Sequence, residues 1–318
     1  MELKLDWFNL DMKMEGKVEY VRACWYLCCL WVYMVIHHCA VLPLCVVCPV
    51  PVKEELKCFL SWCLWSCMKH VMVNERYVHV DYCGDAVDDE TSAMVLCNHS
   101  SMLDYMVIAC MGEDHKMKGR CNFLIWKKCV KFPDLRIAYQ KFRISENWRM
   151  SSRELDREFH PAITSKRPYW TVVFPEVDSY TAFLHDKNVA FSQANHAPVY
   201  QNLLSPRYAC FTQPASYLKK RGGACDLYDV TLCYWAVKDG QRICKSPTLL
   251  DVMFNRDNTQ WNVDVHVKKI SMKSLPRRDH GLQKWLERTW IEKDGLLKKK
   301  HKTIDTHEDH KKRFRKRN

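Results

Sequence analysis

Val95-Leu96-Cys97-Asn98-His99-Ser100-Ser101-Met102-Leu103-Asp104 is the stretch on which the reading of this chain turns. Ala93 to Cys97 is a short, uninterrupted apolar run of the kind that forms a buried strand, and Met102 to Met111 carries a helical pattern. A histidine just past the strand and an aspartate five residues on fit a strand-to-helix turn. There the carboxylate can fold back on the ring, accept from one ring nitrogen and fix the tautomer. The other nitrogen is then free to take a proton from a hydroxyl. This is the His–carboxylate half of a hydrolase triad. If the alcohol belongs to the substrate, the protein needs no serine of its own. The bare pair is a weak signal, because with fourteen His and this Asp content about one such spacing arises by chance.

A second motif adds weight. Tyr169 to Phe174 reads as another short strand, closed by Pro175-Glu176. Taken by itself it fits a strand ended by a proline turn with a solvated Glu. Both His99 and Glu176 fall just beyond the C-terminal ends of predicted strands, where ligands bind in open α/β sheets. Further strands are expected at Arg76 to Tyr82, Val230 to Trp235 and Val263 to Val267, and helices at Ser151 to Phe159, Lys187 to Asn195 and Leu282 to Lys298. The alternation predicts an α/β fold, a mixed sheet flanked by helices, with N-terminal membrane-associated helices. Four regions follow: a polar lead over 1–22, a membrane-anchoring region over 23–73, a catalytic α/β domain over 74–297 and a basic tail over 298–318.

The anchoring region rests on Ala23 to Val52, which carries no charged residue before Lys53 and exceeds the roughly 20 apolar residues a bilayer core requires. Pro43 and Pro49 are expected to kink or end that helix. Cys58 to Val73 fits an amphipathic helix on the membrane surface or leading into the next domain. The chain has 318 residues and 18 cysteines, which sit mostly on apolar stretches without the spacing of a disulfide or zinc framework and read as small reduced hydrophobes. No metal site is expected. The net charge of +12 calls for anionic partners, but the basic residues are not interleaved with aromatics as in RNA binders, so no nucleic-acid partner is expected.

Together the two motifs resemble the glycerophospholipid acyltransferase family, in its lysophosphatidate and lysocardiolipin acyltransferase branch, whose hallmark is Asn-His-x4-Asp followed by Phe-Pro-Glu-Gly-Thr. The blocks Leu204 to Thr212, Leu227 to Leu232, Val265 to Lys269 with Leu275-Pro276, and Trp285 to Leu297 are similar to further blocks of that family in the same order. The resemblance implies acyl-CoA as co-substrate, no bound cofactor, and a lysophospholipid acceptor at a membrane bilayer. It implies His99 as general base, oriented by Asp104, and Phe174, Pro175, Glu176 and Arg207 as acceptor- or phosphate-binding residues. The implied location is a membrane, first that of the endoplasmic reticulum, with mitochondria-associated or outer mitochondrial membranes as alternatives.

Two positions depart from the family. Val177 and Asp178 stand where Gly and Thr are usual, and a β-branched residue resists the positive φ that glycine allows. Glu146 stands where the family has an arginine that contacts the acceptor's phosphate, leaving Arg143 or Arg149 as candidates to compensate. Both changes work against phosphate binding. The alternative is therefore a catalytically impaired relative that acts as a membrane lipid-binding or scaffold protein.

Overall fold

The computed structural model describes residues 49–75, 78–126, 140–144, 149–164, 167–254 and 259–315, with Val21, Cys24, Trp25, Cys28, Cys29, Trp31, Val32 and Val35 before them. Most of the apolar run Ala23 to Val52, and Glu146, lie outside the described residues, as do the side chains of 140–144 and 305–315. The eight described N-terminal positions are helical and exposed. Among the described residues no helix is long and apolar enough to cross a membrane.

Helix α1 (Val50–Lys69) starts where the sequence suggested an end. Pro49 is its N-cap and Pro51 lies in its first turn, where a missing N–H leaves no helical bond unmade. A π-helical turn, His70–Glu75, follows. The chain then forms β1 (His79–Gly84), β2 (Ala93–Cys97), α2 (Leu103–Asp114), β3 (Cys121–Trp126), β4 (Gln140–Ile144), α3 (Ser152–Thr164), β5 (Trp170–Val173), α4 (Ala182–Ala194) and α5 (Tyr208–Arg221). It closes with β6 (Asp226–Lys238), β7 (Gln241–Ile243), α6 (Leu249–Phe254), β8 (Gln260–Ser271) and α7 (Asp279–Arg315).

The strands form one mixed sheet in the order β1-β8-β6-β2-β5-β3-β4, with β7 paired to β6. All neighbours run parallel except β6 with β8 and β6 with β7, which are antiparallel. The sheet is covered on both faces. Alternate residues of each central strand point to opposite layers: Val95, Cys97, Trp170 and Val172 join Met106, Met111 and Phe123 under α1 and α2. Met94, Leu96 and Val173 join Phe159, Phe211, Leu286 and Trp290 under α3, α5 and α7. Strands covered on both faces read as continuous apolar runs, which is why β2 was legible as a run rather than an alternation. The mixed sheet flanked by helices is thus the observed fold.

Two groups of contacts hold the outer helices. Gly119, at φ +66°, lies so close to α1 that a Cβ there would stand 1.9 Å from the Cys58 carbonyl oxygen. Nearby, Trp62 Nε1 donates to Glu113 at 2.9 Å, and Lys69 pairs with Asp114 at 3.2 Å. At the other end, α7 runs straight through the boundary expected at residue 298. Leu297 and Ile304 continue its buried stripe, and Lys300 pairs with Asp264 at 2.7 Å.

Candidate active site

Strands β2 and β5 are adjacent, parallel and in register, with Leu96 opposite Val173. Equal steps beyond those partners bring His99 and Glu176 together at the C-terminal edge, and the His99 N–H donates to Glu176 Oε1 at 3.4 Å. Asn98 ends β2 by substituting its side-chain amide for a strand partner: Nδ2 donates to the Leu232 carbonyl at 3.0 Å, and Oδ1 accepts from the Leu232 N–H at 2.8 Å. This clamp on β6 sets the point at which the chain leaves the sheet.

The next turn carries the carboxylate back. Asp104 lies in the first turn of α2. Its Oδ2 takes His99 Nδ1 at 2.8 Å, the Ser100 N–H at 2.7 Å and the Ser101 N–H at 3.0 Å. Its Oδ1 accepts from the Tyr234 hydroxyl at 2.7 Å. Asp104 is fully buried and His99 is 3% exposed. The buried negative charge is therefore stabilised by two amides, a phenol and the helix N-terminus. Burial and the Asp104 charge push the Tyr234 phenol well up, which keeps it a donor. With Nδ1 donating to Asp104, Nε2 is the acceptor nitrogen. The ring packs against Phe174, with centroids 4.9 Å apart, and edge-on to Tyr105 at 5.5 Å. Nε2 lies 3.1 Å from the half-buried Ser179 Oγ.

The Phe-Pro-Glu turn is built from the same edge. Phe174 and Pro175 are buried, and the Pro175 carbonyl accepts from the Arg207 N–H at 2.7 Å. Glu176 is 2% exposed, and its other oxygen accepts from the Leu204 N–H at 3.2 Å. Burial drives its carboxyl well above the usual range, opposed by the two amide donors. The Glu176 side chain thus ties three loops together from within. Val177 adopts φ +72°, and its N–H closes the turn onto the Phe174 carbonyl at 3.1 Å. The glycine-type conformation is kept despite the β-branch, at a strain of about 1–3 kcal/mol. Arg207 is exposed at the N-terminus of α5. Arg149 is exposed just before α3, and Arg143 lies on β4 with its side chain outside the described residues.

Behind the sheet, Lys293 of α7 is 2% exposed. Its Nζ lies 2.6 Å from Asp229 Oδ1 and donates to Thr231 Oγ1 at 3.3 Å and to the carbonyl of Val230. Cys97 is buried beside the site, and burial pushes its thiol well up, so it serves as packing rather than as a thiolate. Among the described residues no cluster of His, Cys, Asp or Glu is suited to hold a metal. Tyr234, Ser179, Asn98 in its clamping role and Lys293 were not singled out from sequence. Tyr234 alone lay in a predicted strand.

A family model described as "Acyltransferase C-terminus" matches residues 253–318. The probable 1-acyl-sn-glycerol-3-phosphate acyltransferase 5 of Arabidopsis thaliana is 23% identical over 255 residues, covering 77% of this chain and 64% of that protein. The 1-acyl-sn-glycerol-3-phosphate acyltransferase 2 of the same plant is 26% identical, covering 67% of this chain and 53% of that protein. Lysocardiolipin acyltransferase 1 of Danio rerio is 22% identical, covering 71% and 57%. The chain spans between about half and two thirds of the length of these curated relatives. Among solved structures, the 1-acyl-sn-glycerophosphate acyltransferase PlsC of Thermotoga maritima matches with a TM-score of 0.48 at 14% identity, covering 88% of this chain and 96% of that one. The resemblance read from the motifs holds over 67–77% of the chain, which is similar there to the glycerophospholipid acyltransferases at identities that mark it as divergent.

Proposed function

We propose that this chain is an enzyme that transfers a fatty acyl group from acyl-CoA to a hydroxyl of a lysophospholipid, lysophosphatidate-like or lysocardiolipin-like, at a membrane surface. One observation carries the reading: the line Asp104–His99–Ser179, in which the half-buried Ser179 hydroxyl marks a place for an alcohol 3.1 Å from a ring nitrogen whose tautomer is fixed by a fully satisfied carboxylate. In this reading Nε2 takes the proton of the attacking alcohol, and the oxygen attacks the thioester carbonyl. Asp104 stabilises the imidazolium, and Nε2 returns the proton to the departing CoA sulfur. Glu176 acts by joining the loops after β2 and β5, while Phe174 and Pro175 shape the wall beside the ring. The exposed Arg207, whose backbone is tied to the same turn, is the group suited to an acceptor phosphate.

The membrane assignment draws support from the uncharged run Ala23 to Val52 and from exposed apolar side chains at Val21, Trp25, Trp31, Val32, Val35 and Phe59. The proposed location is the endoplasmic reticulum, with mitochondria-associated or outer mitochondrial membranes as alternatives. The test is CoA release by the full chain in detergent or vesicles, with acyl-CoA and a panel of lysophospholipids. His99→Ala should lower the rate by about 10²–10⁴-fold while the thermal midpoint shows the variant still folded. A wild type as silent as His99→Ala across the panel would instead favour the impaired, lipid-binding relative.

A further inference from the structure

We propose that Tyr234 is a positioning residue of this site, which sets through Asp104 how strongly the His99 ring holds its proton. The inference rests on the acyl-transfer reading and adds to it a residue that is itself buried. Donors divide unevenly between the two oxygens of Asp104. Oδ2 takes His99 Nδ1 at 2.8 Å and the amides of Ser100 and Ser101 at 2.7 and 3.0 Å. Oδ1 takes the Tyr234 hydroxyl at 2.7 Å. A carboxylate can only accept, so the phenol donates, and it draws on the same negative charge that the ring uses. Weakening the phenol leaves more of that charge for the imidazolium, and strengthening it leaves less.

The placement is set by β6. The Leu232 backbone holds both polar atoms of the Asn98 side chain, and Tyr234 stands two residues on, in the layer that packs under α2. One strand thus grips the turn 98–104 at its start and at its end. Tyr234 is 3% exposed and Asp104 is fully buried, so bulk water does not compete for Oδ1, and the bond acts at low local dielectric. The other titratable groups around the pair are engaged elsewhere. Cys97 on β2 is kept a thiol by burial. Glu176, after β5, takes the backbone amides of His99 and Leu204. Ser179 meets the ring at Nε2, away from Asp104, and Tyr105 of α2 meets it edge-on. Lys293 of α7, behind the sheet, is paired with Asp229.

The direction of the effect follows. A general base works only while Nε2 is unprotonated, so the rate falls on the acid side as the ring gains its proton. In Tyr234→Phe the carboxylate favours the protonated ring more than in wild type, and the acid limb of the rate moves to higher pH. In Tyr234→fluorotyrosine the more acidic phenol is a stronger donor, and the limb moves to lower pH. Burial and the Asp104 charge push the phenol well up, so the fluorinated ring still donates.

The test uses the purified full chain in detergent. CoA release from palmitoyl-CoA is followed at sub-saturating lysophosphatidate between about pH 5 and about pH 9. Tyr234→Phe should move the acid limb up by about 0.5–1 pH unit while lowering the plateau less than about tenfold. Tyr234→fluorotyrosine should move the limb down. NMR of ring-labelled histidine, with the His99 signal identified by its loss in His99→Ala, should show the same two directions without any turnover. A phenol that only filled space would lower the rate evenly across pH and leave both curves in place. A limb and a ring signal that stay put in the folded variants, or that move in the reverse order, overturn the proposal. If Tyr234→Phe does not fold, the fluorotyrosine variant decides alone. If wild type releases no CoA with any lysophospholipid while the ring signal moves as stated, the acyltransferase reading fails and the role of Tyr234 stands.

Discussion

At the scale of single residues, the turn after β5 holds the sharpest departure from economy. A β-branched side chain at φ +72° is strained. Replacing Val177 with glycine should relieve about 1–3 kcal/mol, offset by about 0.5–1 kcal/mol of unfolded-chain entropy. A net gain of about 1 kcal/mol, read as a higher urea midpoint, is the expected outcome. A lower midpoint would mean that the valine's packing outweighs its strain. Glu176 makes the second prediction. Its native carboxyl is raised by burial, so the folded chain holds that proton more tightly than the unfolded one. Such a group contributes stability that is complete below the unfolded value of about 4.3 and is lost as pH rises through the native one. Glu176→Gln should flatten that decline in stability toward neutral pH in denaturation series. A variant that steepened it would show that the two amides win and the carboxylate is charged. His99 and Asp104 were readable beforehand because their bond closes within five residues of one turn. Ser179 and Tyr234 meet the same pair across 80 and 130 residues. No local spacing encodes such contacts; they exist only once the strand order is known.

At the scale of elements, α7 and β6 are joined by a charge pair inside the protein. Lys293 and Asp229 expose 2% and 7% of their side chains, so breaking the pair leaves a buried charge alone. Lys293→Met should cost about 3–5 kcal/mol, and combining it with Asp229→Leu should recover most of that loss, as tested by a denaturant double-mutant cycle. Equal losses in the single and double variants would mean that packing, not charge, joins the helix to the strand. The element-level reading from sequence succeeded for β2 and β5, whose apolar runs end in abrupt polar punctuation. It undershot β6 and β8, which extend to Asp226–Lys238 and Gln260–Ser271, because their antiparallel pairing continues past the apolar centre. It passed over β4, whose Gln-Lys-Phe-Arg-Ile has no run to recognise and owes its state to pairing with β3 at the sheet margin. No helix was expected over α5, whose interior holds Pro214, a residue that interrupts a helical pattern.

At the scale of the whole molecule, the proposed membrane binding rests on a net charge of +12, which favours an anionic bilayer, and on exposed apolar side chains near the N-terminus, which favour insertion. Flotation with phosphatidylserine vesicles should therefore show binding that weakens but persists as salt is raised to about 0.5 M, where charge attraction is screened within a few ångströms. Replacing Trp25 and Trp31 with serine should remove the salt-resistant part. Binding that vanishes with salt alone would leave only the charge. The close approach at Gly119 gives such an encounter a geometric consequence. No side chain fits between that loop and the backbone of α1, so a larger residue at 119 has to push the helix away from the loop. Under the proposed membrane binding, α1 and that loop would approach lipid as one packed unit. A side chain at 119 would shift α1 against the layer it covers without touching any group assigned to the proposed chemistry.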